Sequence, residues 1–406
     1  MLRGLKEAQG DGSLAWAHAE KAEAICKSSL SDEQCVEDLI WCWGYALRIA
    51  KVENDEAFDV VMARLRTYTQ AFPNSDTLAS AFARALDLRG EVIVEARDSD
   101  TMEERLLSLA SQMETMAREM PDFANVQWSR AGLWLDLALA WVKDGKRGLR
   151  IGAIARDVDE FTQPFPFHLL QGQRISIWQQ LANYESRHGV APEEAERIAR
   201  RITLAAEPFH SNEGVLSSVA WAWECAVFGW HRDTRAWKSC ERALRHLQVW
   251  LAESPSGVDG ACAHVSAWGL LLNVHRQRRD FDAFARLEPE ALDCAESARA
   301  AYPDNEDIAE YAGYVIAQIA SGRWDRTAGR AAIEEMTTRI QTLTDQFPHS
   351  ENLQENSALA NRLLHGLATN TPPASPADAQ FGASVSAPRL VQFGSSHQDQ
   401  NPQPKE

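Results

Sequence analysis

Fourteen tryptophans are the chain's main chemical resource, and those in the first helix of each expected unit are Trp41, Trp43, Trp128, Trp134, Trp141, Trp178, Trp221, Trp223, Trp230 and Trp268. An indole either fills a seam between helices or anchors a partner, because Trp, Tyr and Arg carry most of the energy of protein interfaces. Trp41 and Trp43, like Trp221 and Trp223, stand two residues apart, which on a helix turns them roughly 200° away from each other. One ring of each pair therefore belongs to the helix's own seam, and the other reaches a neighbouring unit or the surface. Rings aligned on a concave side would anchor a peptide, with Trp43, Tyr45, Trp134, Trp223, Trp268 and Tyr314 as the expected contacts.

The other reactive residue types lack the spacing that chemistry needs. There is no His-Glu-x-x-His pair, and His231 with Cys240, or Cys262 with His264, do not have the spacing of a zinc module, so the histidines read as capping or surface residues. Cysteines at 26, 35, 42, 225, 240, 262 and 294 form no Cys-x-x-Cys and read as reduced core thiols. Lys143, Lys146, Arg147 and Arg150, set among Gly145 and Gly148, lack the Gly-x4-Gly-Lys-Ser/Thr spacing of a phosphate loop and read as a solvated break, as do Arg276, Arg278 and Arg279. With no Gly-x-Ser-x-Gly elbow, dinucleotide glycines or recurring acid motif, no catalytic centre, cofactor or metal is expected.

What positions these residues is a recurring helix stop. Phe72-Pro73-Asn74-Ser75, Met120-Pro121-Asp122, Tyr302-Pro303-Asp304-Asn305 and Phe347-Pro348-His349-Ser350 each open a run rich in Ala and Leu. Weaker versions stand at Phe165-Pro166, Pro208 and Pro255, so successive prolines are 48, 45, 42, 47, 48 and 45 residues apart. Such a period marks stacked units too small to bury their own apolar faces. Proline turns the preceding residue away from helical geometry, and Asn, Asp or Ser caps the next helix. In the unit after Pro73, Ser75 or Asn74 can cap a helix whose Leu78, Phe82, Ala85 and Leu86 share one face, and Thr101 to Glu104 reads as the capping box of its partner helix. Pro192 suits a first helical turn. Breaks inside the units are expected near 51–54, 143–148, 189–191, 231–233, 277–280 and 321–325. The segmentation predicts a lone helix at 13–29, seven hairpins to about 347 and a final helix near 350–368, an all-α fold.

The turn Tyr302-Pro303-Asp304-Asn305 followed by Ile308, Tyr311, Ala312 and Tyr314 resembles the junction between units of tetratricopeptide-repeat proteins, and the turns at Pro73 and Pro348 match it. The likeness spans 13–369, although the family's unit is about 34 residues. It implies a divergent right-handed α-solenoid of antiparallel helix pairs with a repeat of about 45 residues, a binding scaffold rather than an enzyme. Single segments, Ile177 to Arg197 and Asn125 to Arg130, resemble a half-a-tetratricopeptide unit and a prenyltransferase alpha-subunit repeat, and neither recurs.

Composition supplies the remaining expectations. A hydrophobic share of 45% supports a continuous core, whereas residues 370–406, rich in Pro, Ser and Gln, read as a disordered tail and 1–12 as a flexible start. The net charge of −17 repels nucleic acid and anionic lipid. With no signal-like or membrane-length apolar segment, a cytoplasmic protein that binds a protein or peptide is expected. The rival is an α/α-toroid enzyme with a Trp- and acid-lined pocket.

Overall fold

The computed structural model describes residues 12–369 apart from 28, 50–54, 71, 73, 97–98, 146–147, 167–169, 189–190 and 327–328. Of the expected start at 1–12, residues 1–11 lie outside the described residues and Gly12 is already helical, and the tail at 370–406, Pro73, the break at 51–54 and parts of the breaks at 143–148 and 189–191 also lie outside them. Among the described residues the fold is all-α, with sixteen α-helices and no strand. They are α1 (Gly12–Cys26), α2 (Glu33–Ile49), α3 (Asp55–Thr69), α4 (Asp76–Ala96), α5 (Ser99–Glu119), α6 (Ala124–Asp144), α7 (Gly148–Thr162) and α8 (Leu170–His188). The remainder are α9 (Pro192–Ala206), α10 (Glu213–His231), α11 (Trp237–Glu253), α12 (Gly257–Gln277), α13 (Phe281–Ala301), α14 (Glu306–Asp325), α15 (Arg330–Gln346) and α16 (Glu351–Thr369). No helix of the described residues is long and apolar enough to cross a membrane.

The local chemistry of the junctions explains where helices start. Ser75 Oγ accepts the Leu78 N–H at 3.1 Å and Ser350 Oγ accepts that of Leu353 at 3.2 Å. Asn212, Asp280 and Asn305 cap α10, α13 and α14 by accepting from Val215, Ala283 and Ile308, which satisfies donors that the first helical turn leaves free. Pro192 occupies the first position of α9. Two expectations fail. Thr101 lies inside α5, which already starts at Ser99, and so does not cap it. The break at 321–325 is absent because α14 runs through Asp325: Ser321 Oγ bonds back to the Ala317 carbonyl at 2.9 Å, and Gly322 lies under the Phe284 ring, where a Cβ would collide. Small residues here serve close packing, not a turn.

The chain divides into two compact units, Met1–Leu181 and Ala182–Glu406. In the first, α2, α4 and α6 pack in succession, and each also packs against the odd-numbered helices beside it in sequence. In the second, α10, α12, α14 and α16 form the equivalent row against α9, α11, α13 and α15. Burial follows from this two-layer arrangement. An odd helix such as α11 buries one stripe, Cys240, Ala243, Leu244, Leu247 and Trp250, at three- and four-residue steps. Helix α10 buries every residue from Val215 to Val227, and α14 every residue from Tyr311 to Gly322, because neighbours flank them on several sides.

Candidate functional site

Five of the fourteen indoles act as latches between the two layers. Trp43 Nε1–H of α2 donates to Glu23 of α1 at 3.1 Å, and the same buried carboxylate accepts from Arg64 Nη1 at 3.0 Å and Tyr68 Oη at 2.9 Å, joining α1, α2 and α3. Trp134 of α6 donates to Glu114 of α5 at 3.0 Å, and Trp178 of α8 to Asp159 of α7 at 3.1 Å. In the second unit Trp223 donates to Thr203 at 3.0 Å and Trp230 to Glu196 at 2.8 Å. Two of these latches share a signature that only the contacts bring out. Gln127-x2-Arg130-x3-Trp134 and Gln171-x2-Arg174-x3-Trp178 repeat residue for residue. In each, the Arg binds the same acid as the Trp, and the Gln amide donates to carbonyls at the end of the preceding helix or just beyond it.

The expected contacts therefore separate. Trp43, Trp134 and Tyr45 lie in the first unit, and Trp223, Trp268 and Tyr314 in the second. Trp43, Trp223 and Trp268 are at most 2% exposed, so their rings offer a partner no area. Tyr314 is buried with its ring against the bare backbone of Gly269, where any Cβ would strike it. Trp134 is half-buried, its N–H held by Glu114. Tyr45 is exposed and stacks on half-buried Trp41, ring centroids 6.0 Å apart at 28°. The two Trp pairs diverge as their spacing requires: Trp41 goes to the surface and Trp43 to α1, while Trp221 meets Tyr311 of α14 at 6.0 Å and Trp223 turns to α9.

Beside the Trp41–Tyr45 ridge, the next two helices of the row carry charge. Arg84 of α4 pairs with Asp87 and Glu91, and its guanidinium lies 5.0 Å from the ring of half-buried Trp128 on α6. The Asp87 carboxylate rests on Gly132 of α6, where a Cβ would collide with it. Asp136 of α6 is held well above the usual carboxylate range, first by burial and then by Asp87 and Glu91, and Arg84 does not offset them. Its Oδ2 has no hydrogen-bond partner.

In the second unit the groups that resemble catalytic pairs are set for inertness. Cys294 Sγ lies 3.3 Å from His264 Nδ1, and Trp268 Nε1–H donates to His264 Nε2 at 3.2 Å. The Nε2 is therefore the acceptor, the proton sits on Nδ1, and the imidazole offers the thiol a donor rather than a base. Burial pushes the thiol up to about 12 and the imidazole down to about 4, the reverse of an activated pair. His275 is buried against the Trp237 ring and is not a surface residue. Arg276 is not solvated either: it is half-buried, its Nη2 donates to Asn273 at 3.2 Å, and burial lowers its pKa. No group of three or more metal-ligating side chains occurs among the described residues.

Glu224 of α10 accepts Ser266 Oγ–H of α12 at 2.8 Å, and burial raises its pKa against Arg187 and that hydrogen bond. Asp259, beside Ser217 and Trp221, is raised by burial as well. Compared with known proteins, the chain matches no protein-family model and no curated sequence.

Proposed function

We propose that the chain is a tetratricopeptide-like α-solenoid with a repeat near 45 residues, working in the cytoplasm as a non-catalytic scaffold that holds a segment of a partner protein. The surface we assign is centred on exposed Tyr45 of α2, with half-buried Trp41 beside it and half-buried Trp128 of α6 in the same row. The observation that carries this reading is the exposed Tyr45–Trp41 stack on α2, followed in the row by half-buried Trp128 of α6 with the Arg84 guanidinium over its ring. Aromatic anchors on a chain of net charge −17 suit an apolar segment that carries a Lys or Arg. Nucleic acid does not fit, since the net charge of −17 repels phosphate. A photo-crosslinking residue placed at Tyr45 should capture one protein in the native lysate, and the same residue at Leu204 should not. Equal capture from both positions would refute the assignment.

A second reading, an α/α-toroid enzyme, draws on Trp221 with Glu224 and Asp259, two carboxyls that burial holds above their ordinary range. Turnover of a glycoside that is lost in Glu224→Gln would favour it.

A further inference from the structure

Three cysteines converge where α1 meets α2. Cys26 ends α1, Cys35 lies in the first turn of α2, and Cys42 follows seven residues later on the same face. The two helices pack directly on each other, and the turn between them is tight: Ser29 N–H donates to the Cys26 carbonyl at 2.8 Å, and Asp32 N–H to the Ser29 carbonyl at 2.9 Å. Cys26 has no exposed surface, and its Sγ–H donates to the Cys35 carbonyl at 3.4 Å. The Cys35 side chain is a hydrogen-bonding neighbour of the same thiol, and burial first, then Cys35 and Cys42, push that thiol up to about 12. Cys35 itself is only half-buried, whereas Cys26 and Cys42 are buried. Cys294 is half-buried as well, and its sulfur faces His264. Cys35 differs in facing a second thiol. A solvent-reached cysteine in contact with a buried one is the arrangement of a peroxide-sensing pair, in which the first is oxidised and the second resolves it.

We propose that Cys26 and Cys35 form a reversible disulfide when a hydroperoxide reaches Cys35, and that this bond fixes α1 on α2. The deprotonated Cys35 sulfur attacks one peroxide oxygen, the O–O bond breaks, and the departing oxygen takes up the thiol's proton, which leaves Cys35 as a sulfenic acid. The Cys26 sulfur then attacks the Cys35 sulfur, the S–O bond breaks, and the hydroxyl leaves as water with the Cys26 proton. With hydrogen peroxide, two thiols are oxidised, one peroxide is reduced and two waters are released. The consequence is structural. Three residues before Cys26 stands Glu23, the acid that holds Trp43, Arg64 and Tyr68, so the bond ties down the helix on which that latch depends. Closing the ten-residue loop from Cys26 to Cys35 removes freedom chiefly from the state in which α1 has come away. In the reducing compartment proposed above such a bond is transient, as a sensor requires. The pair uses none of the residues of the partner surface, so either can fail without the other.

The test is treatment of the reduced full chain with hydrogen peroxide, then alkylation in denaturant and peptide mapping, with dithiothreitol to reverse the reaction. Alkylatable thiols should fall by two from seven, and one peptide pair joined through Cys26 and Cys35 should appear and vanish again with dithiothreitol. Amide hydrogen exchange in α1 should slow by about tenfold or more in the linked form. Cys35→Ser should abolish the link, Cys42→Ser should keep it, and Cys26→Ser should leave Cys35 as a sulfenic acid that dimedone traps. The proposal is overturned if peroxide leaves all seven thiols alkylatable, if Cys35 oxidises in the parent chain while Cys26 stays free, or if Cys26 links to Cys42 instead. It is equally overturned if the linked form exchanges its α1 amides as fast as the reduced form. Because the mapping is done on the parent chain, it decides the matter even where a cysteine variant fails to fold.

Discussion

The row α2, α4, α6 and the row α10, α12, α14 are built from the same kind of helix, yet they treat aromatic and charged residues in opposite ways. In the first unit the row leaves Tyr45 exposed and Trp41 and Trp128 half-buried, with Arg84 and three carboxyls among them. In the second the corresponding stripe turns inward, and Trp221, Glu224, Tyr311 and Tyr314 are all buried. The lesson is that a tryptophan's place in the repeat does not decide its role. What decides it is the packing around the ring and the group that takes its N–H: an acid of the neighbouring helix for Trp43 and Trp134, the Thr203 hydroxyl for Trp223, His264 of its own helix for Trp268.

The largest expected effect separates latch from surface. Trp43→Ala removes a buried ring and leaves Glu23 with one donor fewer, and should cost about 3–5 kcal/mol in chemical denaturation. Tyr45→Ala, close by in sequence and exposed, should cost under about 0.5 kcal/mol. A large loss for Tyr45 would erase the distinction between the two sites.

The acids of the two units should respond to pH with opposite sign. Glu196 is buried, a cost that hydrogen bonds from Arg242, Arg200 and Trp230 more than offset, so its pKa falls from 4.5 to about 2. Its contribution is complete above the unfolded value and disappears as pH drops from about 5 to 2; with its arginines half-exposed it is on the order of 2–3 kcal/mol. Glu196→Gln should flatten that part of the stability profile. Asp136 is raised instead, so the folded state binds its proton more tightly, and stability falls as pH climbs from 3.8 through its folded value. Asp136→Asn should stabilise by about 1 kcal/mol at pH 7 and by nothing near pH 3.5. Urea titrations at stepped pH would expose an error in either sign.

The smallest effect lies in the turn between α12 and α13. Arg279 holds φ at 58°, a left-handed conformation that costs a side chain and not glycine. Arg279→Gly should raise stability by about 0.5–1 kcal/mol in thermal unfolding. A loss would mean that the Arg279 charge beside Asp325 outweighs the strain.

Much of the helix layout was legible because its signals are local. Proline, a capping residue and a three- to four-residue apolar step all lie within one turn of each other, so the starts at Ser75, Pro192, Asn305 and Ser350 could be read directly. The divergence of Trp41 from Trp43 was legible from helical geometry alone. The latches were not, because Glu114 and Asp159 lie 20 and 19 residues before the tryptophans that they hold, on another helix with no periodicity to connect them. Ser321 and Gly322 read as a break because small residues look the same whether they turn the chain or admit a ring such as Phe284. The burial of Glu224, Ser266 and Gln318 escaped notice for a similar reason: one polar residue per turn in an apolar helix is the pattern of an outer face, and only packing shows that it faces inward.

The measurement that bears most directly on the partner surface is quantitative capture with the double variant Trp41→Ala/Tyr45→Ala, run beside Trp43→Ala and scored for both bound partner and melting temperature. The account predicts that the double variant melts within about 1 °C of the parent and loses the partner crosslinked from Tyr45. Full retention of that partner by a folded double variant would contradict it.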